Sequence, residues 1–250
     1  MKIFRPLLAI SAGLAVAQAG PGITGLGLVR HALFPALSGS GLPDHVALTF
    51  DDGPDQETTS LFLDLLARCG VRATFFLLGS RVAMMPRIAA LIADAGHEVG
   101  VHGWEHRYLI LRGPLAVYDD LARTAEVIAR ATGKAPSLFR PPYGVLSGPS
   151  ILAAGRLGLT PVLWSCWGRE WTPGATPYTV FTTTLAGLKG GATVLLHDSD
   201  CTSPAGSAIA ALGALPMLLD EIGRRNLRVG PLGEHGLAAP AGVPLPAWRR

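Results

Sequence analysis

The sequence has few lysines and few cysteines, and each scarcity argues against a class of protein or site. Only three of its 250 residues are lysines, and the basic residues are scattered rather than clustered. Nucleic-acid-binding proteins carry a basic patch or stripe, so we expect no nucleic-acid partner. The three cysteines include no Cys-x-x-Cys pair, which argues against a cysteine-type zinc site. Cys166 and Cys201 both follow predicted strand ends, and a disulfide between them is an open prediction.

Hydrophobic residues make up 49% of the chain, which is enough for a sizeable core. A length of 250 residues fits one large α/β domain better than two small ones. No compositional break divides residues 45–232, so we predict a single folded domain over this range. A linker at 29–44 would precede this domain, and a Gly/Pro/Ala-rich flexible tail at 233–250 would follow it.

Residues 1–28 have the features of a signal peptide or a membrane anchor. Lys2 and Arg5 precede the apolar run Leu7–Ala19, and Ala17-Gln18-Ala19 has the small-x-small form of a signal-peptidase site. Without cleavage, the apolar region would be a membrane anchor, although glycine and proline interrupt it. We therefore predict an extracytoplasmic protein, secreted or membrane-anchored, with possible membrane association through the N-terminus. A buried N-terminal helix is the alternative.

Strand and helix patterns alternate along the remaining chain. The predicted strands are Val46–Asp51, Val71–Leu78, His97–Val101, Ser137–Arg140, Leu159–Trp164, Ala192–His197 and Leu227–Gly230. The predicted helices are Thr58–Cys69, Arg81–Ala95, Pro114–Thr132, Pro149–Leu157, Pro177–Leu188 and Ser207–Arg225. About seven βα units imply a parallel sheet with right-handed crossovers. A closed or distorted barrel and a doubly wound open sheet both fit this pattern, and both form active sites at the C-terminal ends of their strands.

Two adjacent aspartates follow the first predicted strand. The apolar run Val46–Phe50 leads into Asp51 and Asp52, and Gly53-Pro54 ends it as a turn. Two carboxylates this close raise each other's pKa, so we do not expect both to stay free and charged. A metal ion on one and a proton-transfer role for the other would resolve the conflict. A helix-capping turn is the structural alternative.

Histidines that follow the third predicted strand extend this set. His102 and His106 are four residues apart, so both imidazoles can reach one ion from a helical turn or a tight loop. With Asp52 they offer two nitrogens and one oxygen, which suits Zn²⁺ or a similar divalent ion at a catalytic site. His45 and His97 start strands instead, and we predict structural roles for them at the opposite end of the sheet.

Two further strand ends place polar side chains at the same edge. Arg140 precedes Pro141-Pro142 and can bind a carboxylate such as Asp51 or a carboxylate product. His197 ends the sixth predicted strand, and opposite a metal site it is a candidate general acid. The structural alternative for Arg140 is a buried ion pair with Asp51 that only stabilises the fold. The alternative for His197 is a strand-end histidine without a catalytic role. The collection of these residues at one edge favours a catalytic site.

The chain resembles the polysaccharide deacetylases of the NodB-homology type, carbohydrate esterase family 4, between Asp44 and Leu232. Five motifs carry the resemblance in the family's order: Thr49-Phe50-Asp51-Asp52-Gly53-Pro54, His102 to His106, Arg140-Pro141-Pro142-Tyr143, Trp167 to Trp171 and Val194 to His197. The resemblance implies an α/β fold, a distorted (β/α)7 TIM-like barrel, with residues 45–232 as the deacetylase catalytic domain. It also implies a metal-dependent amide hydrolase.

The resemblance implies a role for each matched residue. Asp51 would be the general base and His197 the general acid. Arg140 would orient Asp51, and the backbone N–H of Tyr143 would help to hold the oxyanion. The metal ligands would be Asp52, His102 and His106. Zn²⁺ is the expected ion, with Co²⁺, Ni²⁺ and Fe²⁺ as alternatives.

Two of the motifs depart from the family's pattern. Gly103 stands where the family has Ser or Thr, so a hydroxyl that steadies the metal loop is missing. In the fourth motif, Trp167 and Glu170 replace two aspartates. An acid at this motif supports the arginine or the catalytic histidine in the family. We expect either that Glu170 takes over with its longer reach or that the network is weaker. Neither departure removes a metal ligand, the base or the acid, so we expect activity.

The implied substrate is an N-acetylated glycan such as peptidoglycan or a chitin-like polymer. Four tryptophans are candidates for stacking on sugar rings, although about half of them are expected in the core: Trp104, Trp164, Trp167 and Trp171. A same-fold hydrolase of small cyclic amides or ureides is one alternative. An inactive carbohydrate-binding relic is another, and a membrane-tethered structural protein is a third.

Overall fold

A computed structural model describes residues 13–237 of the chain. Within this range one sheet contains eight strands: β1 His45–Asp51, β2 Thr74–Leu77, β3 Glu98–Val101, β4 Leu138–Phe139, β5 Thr160–Pro161, β6 Cys166–Trp167, β7 Thr193–His197 and β8 Arg228–Gly230. Part of the predicted export signal, residues 1–12, and part of the predicted tail, residues 238–250, lie outside the described residues.

The sheet is a curled, incompletely closed barrel. Its strands pair in parallel in the order β5-β4-β3-β2-β1-β7-β6, and β8 pairs with the start of β1. β5 and β6 are therefore the two ends of the order rather than hydrogen-bonded neighbours. This architecture confirms the predicted α/β fold of the distorted-barrel type.

Helices connect the strands and cover the outside of the sheet. They are α1 Gly27–Leu33, α2 Thr58–Cys69, α3 Gly79–Met84, α4 Pro86–Asp94, α5 Pro114–Thr132, α6 Gly148–Arg156, α7 Pro177–Gly187 and α8 Ser207–Arg224. The prediction of one helix over Arg81–Ala95 was wrong. Two helices meet at Met85, because Pro86 has no backbone N–H to continue the first helix and is well suited to begin the second.

The chain around residues 159–167 also differs from the prediction of one strand. β5 is only two residues long, and β6, which was not predicted, pairs with β7 on the other side of the sheet. The intervening residues use their backbone groups elsewhere. The carbonyls of Val162 and Leu163 accept hydrogen bonds from Arg140, and the Leu163 N–H donates to the carbonyl of Leu37. The Val162 N–H still donates to the carbonyl of Phe139 in β4 at 2.9 Å, so the chain leaves the ladder at Leu163.

β1 is the central strand and positions the site. All seven of its residues are buried, since it has strands on both sides. Phe50 packs against Phe62 and Phe75 with ring centroids 4.9 and 5.0 Å apart. Burying such a ring stabilises the fold by about 1.5–3 kcal/mol. The register places Asp51 level with His197 of β7, so two strand ends bring these side chains to one edge.

The cysteines are free thiols, and the disulfide considered above does not form. Cys166 is buried, and its thiol donates to the carbonyl of Thr184 at 2.9 Å. Cys201 lies beside the backbone carbonyl of Asp52 at 3.4 Å. Their thiols therefore have different partners in different parts of the domain.

Candidate active site

The two adjacent aspartates turn to different partners. Asp51 is the last residue of β1, and its Oδ1 accepts a hydrogen bond of 2.7 Å from Nη1 of Arg140. Asp52 follows with a left-handed backbone, φ 77°, and directs its carboxylate towards two histidines. The two carboxylates therefore have different main partners, although Oδ2 of Asp51 also lies 3.8 Å from Nε2 of His102. One carboxylate is paired with a guanidinium, and the other is available to a metal ion.

Asp52, His102 and His106 form a candidate metal centre. Their ligand atoms all lie within 4.8 Å of one another. Asp52 Oδ1 is 3.3 Å from Nε2 of His102 and 3.6 Å from Nε2 of His106. The predicted ligand set is therefore assembled in one place, at the C-terminal ends of β1 and β3.

The chemistry of this set fits a divalent ion. Nδ1 of His102 donates to the backbone carbonyl of Arg140 at 2.8 Å, which leaves the lone pair of Nε2 on the side of Asp52. Oδ1 of Asp52 is buried and has no hydrogen-bond partner among the described residues. A cation between these atoms would satisfy both the orphaned oxygen and the imidazole lone pair.

The charges of the centre also suit metal binding. Burial raises the pKa of Asp52, but the close approach of His102 and the nearby imidazoles of His197 and His106 outweigh burial and hold the pKa below its usual value. Burial and the charge of His102 lower the pKa of His106 to about 4. At neutral pH the centre thus offers an ionised carboxylate and a neutral His106 imidazole, which are metal-binding forms. For His102 the carboxylates of Asp51 and Asp52 outweigh burial and raise the pKa, so binding of a metal ion would release a proton from a protonated ring.

The loop that carries the two histidines is held without a hydroxyl at Gly103. The backbone N–H of Trp104 donates to Oδ1 of Asp120 at 2.7 Å, and Arg112 pairs with the other oxygen of this carboxylate. Asp120 belongs to α5 and is buried. A carboxylate from a helix therefore holds the loop from outside, a contact that the motif comparison did not reveal.

Arg140 is fully buried and contacts several parts of the site at once. Its guanidinium donates to Asp51 at 2.7 Å, to Thr49 Oγ1 at 2.8 Å and to the carbonyls of Val162 and Leu163 at 3.2 and 2.8 Å. Two of these partners lie on β1 and two on the chain after β5. The arginine therefore orients Asp51 and holds the neighbouring chain segment at the same time.

His197 and Glu170 form a second pair of oppositely charged side chains at the site. Nδ1 of His197 lies 2.8 Å from Oε1 of Glu170, and Nε2 lies 3.8 Å from Oδ2 of Asp52. Burial lowers the pKa of His197, but the hydrogen bond and charge of Glu170 outweigh it and raise the pKa to about 9. The acid of the altered fourth motif thus contacts the histidine rather than Arg140.

Aromatic rings line the cleft above these groups. Tyr143 has a left-handed backbone, φ 61°, and its ring stacks on Tyr108 at 3.9 Å and contacts His106 at 4.3 Å. The tryptophans on the other wall follow one another at centroid distances of 5.8 and 5.5 Å: Trp164, Trp167 and Trp171. The cleft encloses about 280 Å³, near the lower end of ligand pockets at about 300 Å³. It accommodates a small group and leaves a polymer outside.

Trp104 does not line this cleft. Its ring faces away and lies under the guanidinium of Arg123, 3.4 Å from the ring centroid. Three of the four tryptophans, Trp164, Trp167 and Trp171, thus line the cleft. Trp104 packs against Arg123 of α5 instead. Sequence spacing alone did not distinguish them, because all four lie near strand ends.

The structure places three further polar residues near the site. Thr202 lines the cleft and donates its hydroxyl to Oδ2 of Asp52. Asp198 is buried beneath the cleft, where it accepts from Thr59, and burial raises its pKa to about 7. Asp200 accepts from backbone N–H groups at the start of α8. Both aspartates therefore have structural partners.

The sequence and the fold are similar to those of known deacetylases. The polysaccharide deacetylase family model matches residues 39–162. A Bradyrhizobium chitooligosaccharide deacetylase is 35% identical over 196 residues, which cover 75% of this chain and 88% of that protein. The Listeria monocytogenes peptidoglycan-N-acetylglucosamine deacetylase PgdA is 34% identical over 190 residues, 74% of this chain and 40% of its own length.

A solved structure shows the same fold. The Bc1960 peptidoglycan N-acetylglucosamine deacetylase superposes with a TM-score of 0.74 and 30% identity, covering 83% of this chain and 95% of that one. The described chain therefore has the α/β deacetylase fold. It belongs to the polysaccharide deacetylase family, carbohydrate esterase family 4.

Proposed function

We propose that the protein is a metal-dependent deacetylase that hydrolyses N-acetyl groups of an N-acetylated glycan and releases acetate. One observation carries the proposal. The carboxylate Asp51, paired with Arg140, and the imidazole His197, paired with Glu170, stand beside the same candidate metal centre. Amide hydrolysis needs a base for water and an acid for the leaving amine, and these pairs supply both.

The metal centre would be held by Asp52, His102 and His106. A divalent ion bound there polarises the amide carbonyl and lowers the pKa of water. We expect Zn²⁺, because two imidazoles and one carboxylate leave an open position typical of catalytic zinc sites, while Co²⁺, Ni²⁺ and Fe²⁺ are accepted by similar ligands.

Asp51 would take a proton from the attacking water. The hydrogen bond from Arg140 fixes the carboxylate and places a positive charge beside it, so the proposed base is oriented in the buried site. The water oxygen then bonds to the acetamide carbon. The backbone N–H of Tyr143 is proposed to donate to the oxygen that becomes negative, since backbone donors stabilise such oxyanions.

His197 would return a proton to the amide nitrogen as the C–N bond breaks. Glu170 holds Nδ1 of the imidazole, so Nε2 carries the proton towards the cleft. A histidine whose pKa is raised to about 9 is protonated at neutral pH, as a general acid must be. The products are acetate and a free amino group on the sugar.

The proposed substrate is peptidoglycan or a chitin-like glycan. The relatives above are named for peptidoglycan N-acetylglucosamine and for chitooligosaccharides. The cleft supports a polymer whose acetamido group enters and whose rings lie outside, because the tryptophan wall offers flat surfaces at its rim. A small cyclic amide would use the metal centre but not the exposed face of Trp167, which is 40% exposed.

We also propose that the protein acts outside the cytoplasm, where such glycans occur. No helix among residues 13–237 is both long and apolar enough to cross a membrane. Residues 13–34 expose several large apolar side chains, which supports attachment to a membrane surface if the leader is retained: Leu14, Val16, Ile23, Leu26, Leu28, Leu33 and Phe34. N-terminal sequencing of the exported protein would distinguish cleavage after Ala19 from retention.

Acetate release from N-acetylglucosamine oligomers and from peptidoglycan tests the function. The protein is first stripped with a chelator and then assayed with and without added Zn²⁺. We expect release only with the metal. Bound metal without release from either glycan would contradict the proposal and favour the small-amide alternative. Neither metal nor release would favour an inactive relic.

A further inference from the structure

The segment before the barrel packs against two loops of the cleft. This N-terminal segment, residues 20–38, contains a 3-10 turn at Gly20–Gly25 and helix α1. A Cβ on Gly25 would lie 3.7 Å from Val145 and 3.8 Å from the carbonyl of Gly144, on the loop that follows Tyr143. At its other end, the carbonyl of Leu37 accepts from the backbone N–H of Leu163 at 2.8 Å.

Arg30 is the buried polar contact between this segment and the cleft wall. The residue is only 4% exposed. Its Nη2 donates to the backbone carbonyl of Trp164 at 2.9 Å, and its Nη1 donates to the carbonyl of Thr24 at 2.9 Å. The guanidinium also lies 5.4 Å from the centroid of the Trp164 ring. One side chain therefore contacts both the backbone and the ring of a residue that lines the cleft.

This arrangement is costly, because Arg30 is a buried charge without an anionic partner. Among residues 13–237 no carboxylate forms an ion pair with it. Burial and the charge of Arg140 both lower its pKa, although a guanidinium stays protonated in proteins. A buried charge is destabilising unless its partners repay the loss of water. Two carbonyls and one aromatic ring are the partners that the structure provides.

Arg30 continues a series of contacts that Arg140 begins. Arg140 binds the carbonyls of Val162 and Leu163, and Arg30 binds the next carbonyl, that of Trp164. The Arg140 guanidinium lies 5.8 Å from the Trp164 ring centroid. Three successive carbonyls are thus held by two arginines, one of which also orients Asp51. The ring itself touches Gly144, where an added Cβ would lie 2.6 Å from it.

We infer that Arg30 is a positioning residue for glycan binding: it fixes the backbone and ring of Trp164 and so makes the N-terminal segment part of the active site. The glycan part of this inference rests on the proposed function. Arg30 does not touch the reacting atoms and acts through Trp164. Its loss should weaken the binding of a sugar polymer more than it slows hydrolysis of a small acetyl group.

The first experiment compares Arg30→Met with Arg30→Lys and with the exposed control Arg68→Met. For N-acetylglucosamine oligomers we expect Arg30→Met to raise KM about tenfold, the effect of losing a buried hydrogen bond to a charged group. The kcat, zinc affinity and hydrolysis of a small aryl acetate should change less than threefold. Arg30→Lys, which keeps one donor and the charge, should recover part of the KM.

A double-mutant cycle tests whether Arg30 acts through Trp164. In a Trp164→Ala background, Arg30→Met should have little further effect on KM, because the ring that it positions is gone. Additive effects, or equal losses on the oligomer and on the aryl acetate, would overturn the inference and indicate a general loss of structure. Thermal unfolding of each variant identifies the temperature range in which all are folded.

Hydrogen exchange keeps the inference testable if the protein releases no acetate. Amides of residues 162–168 should exchange about tenfold faster in Arg30→Met than in wild type or Arg68→Met. Faster exchange in a protein that does not deacetylate glycans would reject the proposed function, retain the positioning of Trp164 and remove the glycan part. Unchanged exchange would reject the positioning role, whatever the activity.

Discussion

Histidines are buried at both ends of the central sheet, and their partners differ. At the C-terminal end, His102 and His197 contact the carboxylates of Asp52 and Glu170. At the opposite end, Nδ1 of His45 lies 2.8 Å from a second histidine, and that ring faces backbone carbonyls. The same residue type therefore contacts carboxylates at one end, and a second imidazole and backbone carbonyls at the other. The first environment is the one for which we propose proton transfer.

The pKa values of His197, His45 and His97 follow this difference, whereas burial and the charge of His102 lower the pKa of His106 at the C-terminal end to about 4. Glu170 overcomes burial and raises the pKa of His197 to about 9. Burial and the charge of His235 lower the pKa of His45 to about 4, and burial lowers that of His97 to about 4. At neutral pH the first imidazole is charged and the other two are neutral. The roles predicted for His45 and His97 as structural residues are consistent with these environments.

Removing the charge of Asp51, at the C-terminal end of the sheet, should have the largest effect. It should abolish activity without affecting the opposite end of the sheet. Asp51→Asn is expected to reduce kcat by about 10²–10⁴-fold, because the base can no longer accept a proton. Bound zinc should stay near that of wild type, measured by metal analysis after gel filtration. The exposed control Asp64→Asn should be fully active. Normal turnover by Asp51→Asn would disprove its role as the base.

Neutralising Glu170 should make the environment of His197 resemble that of the opposite end. Glu170→Gln removes the charge that raises the pKa of His197, so this pKa falls and the protonated acid is lost at lower pH. We expect the alkaline limb of the kcat profile to move to lower pH and kcat to fall about 10²-fold. Glu105→Gln, whose carboxylate pairs with Arg107, is the control. If the alkaline limb of the kcat profile stays at the same pH, His197 is excluded as the group that causes it.

Acid should destabilise the fold at the end of the sheet that contains His45 and His97, because both imidazoles are neutral at pH 7. Because the folded pKa values of His45 and His97 lie below the unfolded value, their contribution is fully present above about pH 6.5 and is lost as pH falls towards 4. The free energy of unfolding should be roughly 1–2 kcal/mol lower at pH 5 than at pH 7, measured in urea.

A double variant isolates this effect from other titrating groups. His45→Gln with His97→Gln is expected to be less stable than wild type at pH 7 but to lose less stability between pH 7 and pH 5. An equal loss in both proteins would show that other groups cause the acid sensitivity. Activity per folded molecule should be unchanged, since neither side chain lines the cleft.

Restoring the family's hydroxyl at Gly103 should have the smallest effect. Gly103 has φ 90°, and an added Cβ would lie 3.2 Å from Oδ1 of Asp120. Gly103→Ser should therefore cost about 1 kcal/mol of stability and leave kcat within threefold, because Asp120 already holds the loop. Asp120→Asn is the comparison, with a larger expected loss of zinc affinity. A more active Gly103→Ser would show that the hydroxyl is missed.

The sequence predicted the C-terminal end of the sheet, which carries Asp51 and His197, better than the opposite end, which carries His45. The motifs around Asp51, His102, Arg140 and His197 follow strands, and the ends of parallel strands meet at one edge whatever the details of packing. The pairing of His45 with His235 joins residues 190 apart, and no local pattern marked the second histidine. The same limit applies to Arg30, which reaches Trp164 across 134 residues.

Alternating strand and helix patterns were sufficient to predict a parallel α/β fold with one polar edge, since periodicity and turn residues act over a few positions. They were not sufficient to predict the break at Met85 or the course of residues 162–167. The break at Met85 comes from the local effect of Pro86, whereas the course of residues 162–167 depends on hydrogen bonds from Arg140 and Arg30 to carbonyls distant in sequence. Such bonds require the chain already to be folded, because a backbone carbonyl has the same chemistry at every residue and only position selects its partner.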